Sequence, residues 1–129
     1  MVEVVTGLHS VSIHITDIHK ARLFFRDVLG LKEISFDEKG NRAVFAIPGS
    51  SAPLSMHIMG PTEEGRPAGT VSGITFKHPD PRAACEELKR RGGTITVEPT
   101  DIDFPGGKFT RAVFADPDGN EFVISNRPG

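Results

Sequence analysis

The chain has 129 residues, of which 37 % are hydrophobic and 25 % charged, and this size and composition predict one globular domain with a buried core. Its formal net charge of −2 and the lack of a basic stripe argue against a nucleic-acid partner. No apolar run reaches the roughly 18 residues of a membrane-spanning helix, and a single cysteine excludes a disulfide framework within the chain. We therefore expect a cytoplasmic protein with no membrane partner.

The first half of the chain predicts one helix and four strands. Apolar and polar residues alternate over residues 8–16, which is the pattern of a half-buried strand. Apolar residues then recur at helical spacing between Asp17, a suitable N-cap, and Gly30, a suitable stop, which predicts a helix over residues 18–29. Three further strands are predicted at 31–37, 42–47 and 53–59.

The second half predicts the same order of elements. A strand at 71–77 precedes Asp80 and Pro81, which supply the N-cap and first turn of a second helix. The strands that follow are predicted at 94–97, 109–115 and 120–125. The segment at 98–107 is rich in proline and glycine and predicts a loop.

An internal repeat relates the two halves. The sequence Arg-Ala-Val-Phe-Ala begins at Arg42 and again at Arg111, 69 positions later, and Asp17 corresponds to Asp80 at an offset of 63. Because a repeat dictates the architecture, we predict an α+β fold of two tandem βαβββ modules that form a curved cleft, all in a single domain over residues 1–129. The predicted parts are an N-terminal module at about 8–59, a linker at about 60–70 and a C-terminal module at about 71–126.

Each module should cover one sheet face with its helix and leave a more polar face open. A cleft with convergent polar groups is the usual setting of a ligand site. The candidate ligand-binding residues on the open faces are Ser12, His14, Arg42, Ser55, His57, Thr75, Arg111 and Glu121. The two arginines suit a carboxylate or a phosphate, although salt bridges to neighbouring acidic residues are the alternative.

Several motifs resemble the vicinal oxygen chelate superfamily, which includes glyoxalase I, extradiol dioxygenases, fosfomycin-resistance transferases and bleomycin-resistance proteins. The motifs are His-Ser-Val-Ser-Ile-His-Ile-Thr-Asp-Ile at 9–18, Phe-Arg-Asp-Val-Leu-Gly-Leu at 25–31 and Asp-Pro-Asp-Gly-Asn at 116–120. The resemblance covers nearly the whole chain. It implies a small-molecule ligand and a homodimer.

The resemblance also marks where metal-dependent members of the superfamily hold their metal. Those positions fall here on Ser10, on Ser55 or His57, on Gly73 and on Val123. Most of these residues are not metal ligands. We therefore expect neither a metal nor another cofactor, and a divalent metal only through a non-standard site such as His14, His57 and Glu121.

Two functions remain open at this stage. The first is metal-free binding of a small polar or anionic metabolite or drug in the cleft. The alternative is a lyase, isomerase or dioxygenase-like enzyme in which His57 or His14 acts as a base, with or without a shifted metal. The sequence identifies no particular ligand and does not decide whether the protein catalyses a reaction.

Overall fold

The chain folds into two four-stranded sheets, each with its own helix, in a computed structural model that describes residues 4, 8–58 and 71–128, the first two of the latter range by their backbone only. The first module contains β1 (Val11–Ile15), α1 (Ile18–Leu23), a π-helical turn (Phe24–Val28), β2 (Lys32–Asp37), β3 (Arg42–Ala46) and β4 (Leu54–Ile58). The second contains β5 (Val71–Lys77), α2 (Pro81–Arg90), β6 (Thr94–Phe104), β7 (Gly107–Ala115) and β8 (Glu121–Ser125).

The two sheets have equivalent strand orders, β1-β4-β3-β2 and β5-β8-β7-β6, and in each the first and last strands of the module pair in parallel. This equivalence confirms the prediction of two tandem βαβββ modules. The predicted linker at 60–70 lies outside the described residues. None of the helices in the described part of the chain is long and apolar enough to cross a membrane.

The first helix begins and ends near the predicted residues, but its last turns are wider than those of an α-helix. The Asp17 carboxylate accepts hydrogen bonds from the backbone N–H groups of His19 and Lys20, and these bonds lower the pKa of Asp17. The chain then winds as a π-helix, and both Phe24 and Phe25 are buried there. Two consecutive aromatic side chains thus face the interior.

These two rings join the modules into one hydrophobic core. The Phe25 ring lies 6.1 Å from that of Phe45 in its own sheet and 5.9 Å from that of Phe122 in the second sheet, measured between centroids. Phe24 reaches the second sheet as well, 6.5 Å from Phe114. The helix side of both sheets is therefore the buried side, as the strand patterns predict.

The prediction of a loop at 98–107 is wrong, because most of this segment extends β6 and pairs with β7. Pro99 lies where the register shifts between Val97 and Thr100, so its missing N–H interrupts no regular ladder. β6 is also an edge strand, which tolerates proline better than a central one. The result is a long β6–β7 hairpin with its turn at Pro105 and Gly106.

The predicted turn at 116–119 ties the second module to the first. Asn120, only 2 % exposed, donates through its side-chain Nδ2 to the His14 carbonyl (2.8 Å) and to the Asp116 carboxylate (2.9 Å). The Asp118 carboxylate accepts a hydrogen bond of 3.1 Å from the backbone N–H of Thr16. The start of β8 is thus held beside the end of β1.

Asp116 should make stability depend on pH in the acidic range. It is 5 % exposed, and burial raises its pKa although hydrogen bonds from Asn120 act in the opposite direction. The folded chain therefore keeps this proton at pH values where the unfolded chain has lost it. The contribution of Asp116 to the free energy of unfolding is largest below the ordinary pKa of an aspartate and falls as the pH rises through the raised value.

Urea unfolding of the wild type and of Asp116→Asn between pH 3.5 and 7 measures this contribution. The stability of the wild type relative to the variant should be greatest at the acidic end and should decrease towards neutral pH. The variant also places an amide donor against the Asn120 side chain, which lowers its stability at every pH by about 1–3 kcal/mol. A difference that stays constant or grows with pH would contradict the raised pKa.

Candidate functional site

A row of polar side chains crosses the open face of the first sheet. The strand registers place His14 of β1 beside His57 of β4, His57 beside Arg42 of β3, and Arg42 beside Asp37 of β2. These residues alternate along their strands with side chains that face the helix and are buried there or pack against the core, namely Ile13, Met56, Ala43 and Phe36. The opposite, polar face therefore carries the predicted candidates of this module.

Side chains in this row are in direct contact. The imidazole rings of His14 and His57 lie 4.8 Å apart between centroids, in an edge-to-face arrangement. Arg42 donates from Nε to the hydroxyl of Ser55 at 3.2 Å, and Ser55 is only 3 % exposed. Ser12, which pairs with Ser55, completes the set. The fold thus brings together all five candidates of the first module.

The second sheet carries an equivalent row, which the internal repeat places in the same register. Lys77 of β5 pairs with Ser125 of β8, Ser125 with Arg111 of β7, and Arg111 with Thr100 of β6. Arg111 is therefore the counterpart of Arg42, as the repeat predicts. The imidazole pair of the first row is replaced here by a lysine and a serine.

A pocket of about 550 Å³ lies over the second row. Its polar lining includes Thr75, Lys77, Arg111, Ser125 and Arg127, and apolar walls are added by residues such as Phe109. Three of these side chains are cationic and none is a carboxylate, so every charged residue in the lining of the pocket is positive.

Arg127 is a site residue that the sequence does not reveal. Its guanidinium carbon lies 5.0 Å from the ring centroid of Phe104 and 5.2 Å from that of Phe109, and these two rings pack edge-to-face. Both rings belong to the β6–β7 hairpin. Because residues 98–107 predict a loop, the sequence gives no reason to place a ring there beside Arg127.

Acidic partners of the repeat arginines are absent among the residues that the structure describes. No carboxylate there lies within 4.0 Å of the guanidinium of Arg42 or Arg111, or of the Lys77 amine. On the helix side, by contrast, Arg22 pairs with Glu33 at 2.8 Å. The salt bridges considered as the alternative role of Arg42 and Arg111 therefore do not form within this part of the chain.

The structure does not bring all the candidates into one pocket. Of the predicted residues, Thr75 and Arg111 line the pocket over the second row, whereas the five candidates of the first module lie on the other sheet. Glu121 opens β8, at the opposite end of that strand from Ser125 and next to Asn120. The side chain of its neighbour Asn120 reaches the His14 carbonyl in β1, whereas Arg111 pairs with Ser125 at the other end of β8.

The positions expected for a metal can also be located. Gly73, with a φ of +75°, lies at a register shift in β5, and Val123 lines the pocket over the second row. Within residues 8–58 and 71–128, no group of three or more His, Cys, Asp or Glu side chains is arranged so that it could hold a metal ion. His14, His57 and Glu121 thus form no such group.

Known structures share this architecture. A glyoxalase/bleomycin resistance protein/dioxygenase superfamily member from Sphaerobacter thermophilus is 28 % identical, with a TM-score of 0.78 over 95 % of this chain and 98 % of that one. TnmS3, an antibiotic binding protein from Streptomyces sp. CB03234, is 23 % identical, with a TM-score of 0.77 over 98 % and 99 %. A glyoxalase/bleomycin resistance protein from the same organism is 24 % identical, with a TM-score of 0.70 over 94 % and 100 %.

The sequence itself matches a family model. Residues 7–124 match the model of the Glyoxalase/Bleomycin resistance protein/Dioxygenase superfamily, and this range spans β1 to β7 and all but the last residue of β8. This is the vicinal oxygen chelate superfamily that the motifs at 9–18, 25–31 and 116–120 resemble. The two βαβββ modules, the sequence match and the structural neighbours agree, and the chain belongs to the glyoxalase/bleomycin resistance protein/dioxygenase superfamily.

Proposed function

We propose that the protein binds a small anionic molecule on the open face of its second sheet. The observation that carries this proposal is the concentration of Lys77, Arg111 and Arg127 around one pocket whose lining holds no carboxylate. An anion would supply the counter-charge that the described residues do not. Arg111 would bind a carboxylate or phosphate through two parallel hydrogen bonds.

The pocket also favours a ligand with an apolar body. Its volume of about 550 Å³ is within the range of small-molecule sites, and Ile102, Phe109 and Val123 contribute apolar walls. An aromatic or alicyclic acid has both features, a carboxylate for the arginines and a ring system for these walls. TnmS3, which shares the fold, is an antibiotic binding protein, so this architecture accommodates a small molecule in at least one relative.

We further propose that the chain acts as a homodimer and binds this ligand without a metal or other cofactor. Leu23, Ile34 and Val97 are apolar side chains that are between 48 % and 57 % exposed, and a second copy would cover such surface. Light scattering across a range of protein concentrations tests the oligomeric state.

A catalytic role for the first row is the second candidate function. The observation in its favour is the contact between the His14 and His57 rings, because imidazoles are common general acids and bases. A reaction that is lost in both His14→Gln and His57→Gln, while ligand binding persists, would support it.

Metal analysis tests the proposal that the ligand binds without a metal. A stoichiometric metal in protein purified without a nickel column, absent from His57→Ala, would contradict metal-free binding.

Removing the charge of Arg111 should weaken binding of an aromatic carboxylate. We expect the dissociation constant of 2-naphthoate to rise roughly 10- to 100-fold in Arg111→Gln, because a hydrogen bond to a charged group contributes about 1.5–3 kcal/mol. Isothermal titration calorimetry at low salt measures this change.

Arg90→Gln provides the matched control for that experiment. It changes the net charge by the same amount, but Arg90 is paired with Glu87 on the surface of α2, away from the pocket. We expect 2-naphthoate to bind this variant as it binds the wild type. Equal effects of the two substitutions would show that only net charge matters and would contradict a site at Arg111.

The ring of Phe104 should act on binding through Arg127. Phe104 does not line the pocket but lies under the Arg127 guanidinium, so Phe104→Ala should free that side chain and weaken 2-naphthoate binding roughly 2- to 5-fold. In an Arg127→Gln background the same substitution should have no further effect. An undiminished effect in that background would mean that Phe104 acts through the hairpin rather than through Arg127.

A further inference from the structure

A second pocket, of about 650 Å³, lies on the helix side of the sheets, between the two modules. Ala84 and Leu88 of α2 and Phe76 of β5 line it from the second module. Val28, at the end of the π-helical turn, and Ile47, after β3, line it from the first. The two pockets adjoin at β5, where Thr75, Phe76 and Lys77 line both, but Arg111 and Arg127 line only the pocket over the second row.

The lining of this pocket is mainly apolar, and part of it belongs to the common core. Leu88 is buried, while Phe76 and Ile74 pack against the buried cluster. A wall anchored in the core is formed before any ligand arrives, so little conformational entropy is lost on binding. An apolar molecule that enters would bury this surface and its own.

The ionic groups beside the pocket are already paired. Arg91 donates from Nε to the Glu87 carboxylate at 2.8 Å and from Nη1 to the Val28 carbonyl at 3.1 Å. The guanidinium thus bridges the second module to the first at the edge of the pocket. Glu87 also accepts a hydrogen bond from Arg90, so one carboxylate holds both guanidinium groups beside this edge.

Lys77 and His78 border the pocket as well, at the end of β5. β5 is an edge strand of its sheet, so its last residues are accessible from both faces of the sheet. Lys77 alternates with Phe76, whose ring lies in the core, and its side chain belongs to the opposite face. Lys77 is thus a lining residue of both pockets, and strand alternation places its side chain on the face of the second row.

We propose that the helix-side pocket is a second ligand site, for an uncharged apolar molecule about the size of two or three fused rings. Its chemistry is opposite to that of the open face, where three cations are exposed to the ligand. A volume of about 650 Å³ is within the range of small-molecule sites, which favours a small molecule over a segment of another protein.

Fluorescence of the neutral probe N-phenyl-1-naphthylamine tests this proposal. The chain has no Trp and no Tyr, so the probe is read against almost no protein emission. We expect saturable binding to the wild type and at least a 5-fold weaker affinity in Ala84→Leu, because the larger side chain occupies part of the pocket. Val28→Thr, which keeps the volume but adds a hydroxyl, should weaken binding in the same direction without filling the space.

Ala46→Leu is the matched control, since Ala46 lies on β3 outside the pocket and receives the same substitution. The probe should bind this variant and Arg111→Gln as tightly as the wild type, and saturating 2-naphthoate should not displace it. Thermal unfolding of each variant verifies that it is folded.

Several results would overturn the proposal. The first is a lack of saturable probe binding, and the second is equal binding of the probe to the wild type, Ala84→Leu and Val28→Thr. The third is displacement of the probe by 2-naphthoate. The fourth is an affinity for the probe that falls as the protein dimerises, which would assign the pocket to a second copy. Because the probe is uncharged and is also tested on Arg111→Gln, this outcome is independent of whether Arg111 binds an anion.

Discussion

The packing of Phe25 against both sheets is the contact on which the rest of the structure depends. Its ring, fully buried, touches Phe45 in the first module and Phe122 in the second, so one side of each sheet is committed to a shared interior. A sheet whose one face is buried in this way must place its polar residues on the other. The positions of both polar rows thus follow from a contact on the opposite side of the sheets.

The duplicated sequence predicted much of this arrangement, because alternation along a strand and an internal repeat are both local properties of the chain. Arg42 and Arg111 occupy equivalent places in equivalent rows, and each lies beside a polar residue of its module's last strand. The boundaries of the first helix were also close. Its π-helical winding was not predictable, because it accompanies the packing of Phe24 against Phe114 and of Phe25 against Phe122, which lie 90 and 97 positions further along the chain.

The features of the structure that could not be predicted from the sequence depend on contacts between distant segments of the chain. Pro99, Pro105 and two glycines predict a loop, whereas pairing with β7 extends β6 through most of this segment. That pairing places the Phe104 and Phe109 rings beside Arg127, at the edge of the proposed anion site. The helix-side pocket likewise has walls from both modules, and neither half alone contains a pattern that reveals it.

The β6–β7 hairpin has a consequence for how this protein can change. Phe104 and Phe109 hold Arg127 through ring contacts made outside the buried cluster that joins the modules. Substitutions at the tip of the hairpin can therefore alter the shape and charge of the binding surface while the shared interior keeps its packing. If the proposed site binds its ligand, ligand preference and folding stability are carried by different residues, and selection can act on one with little effect on the other.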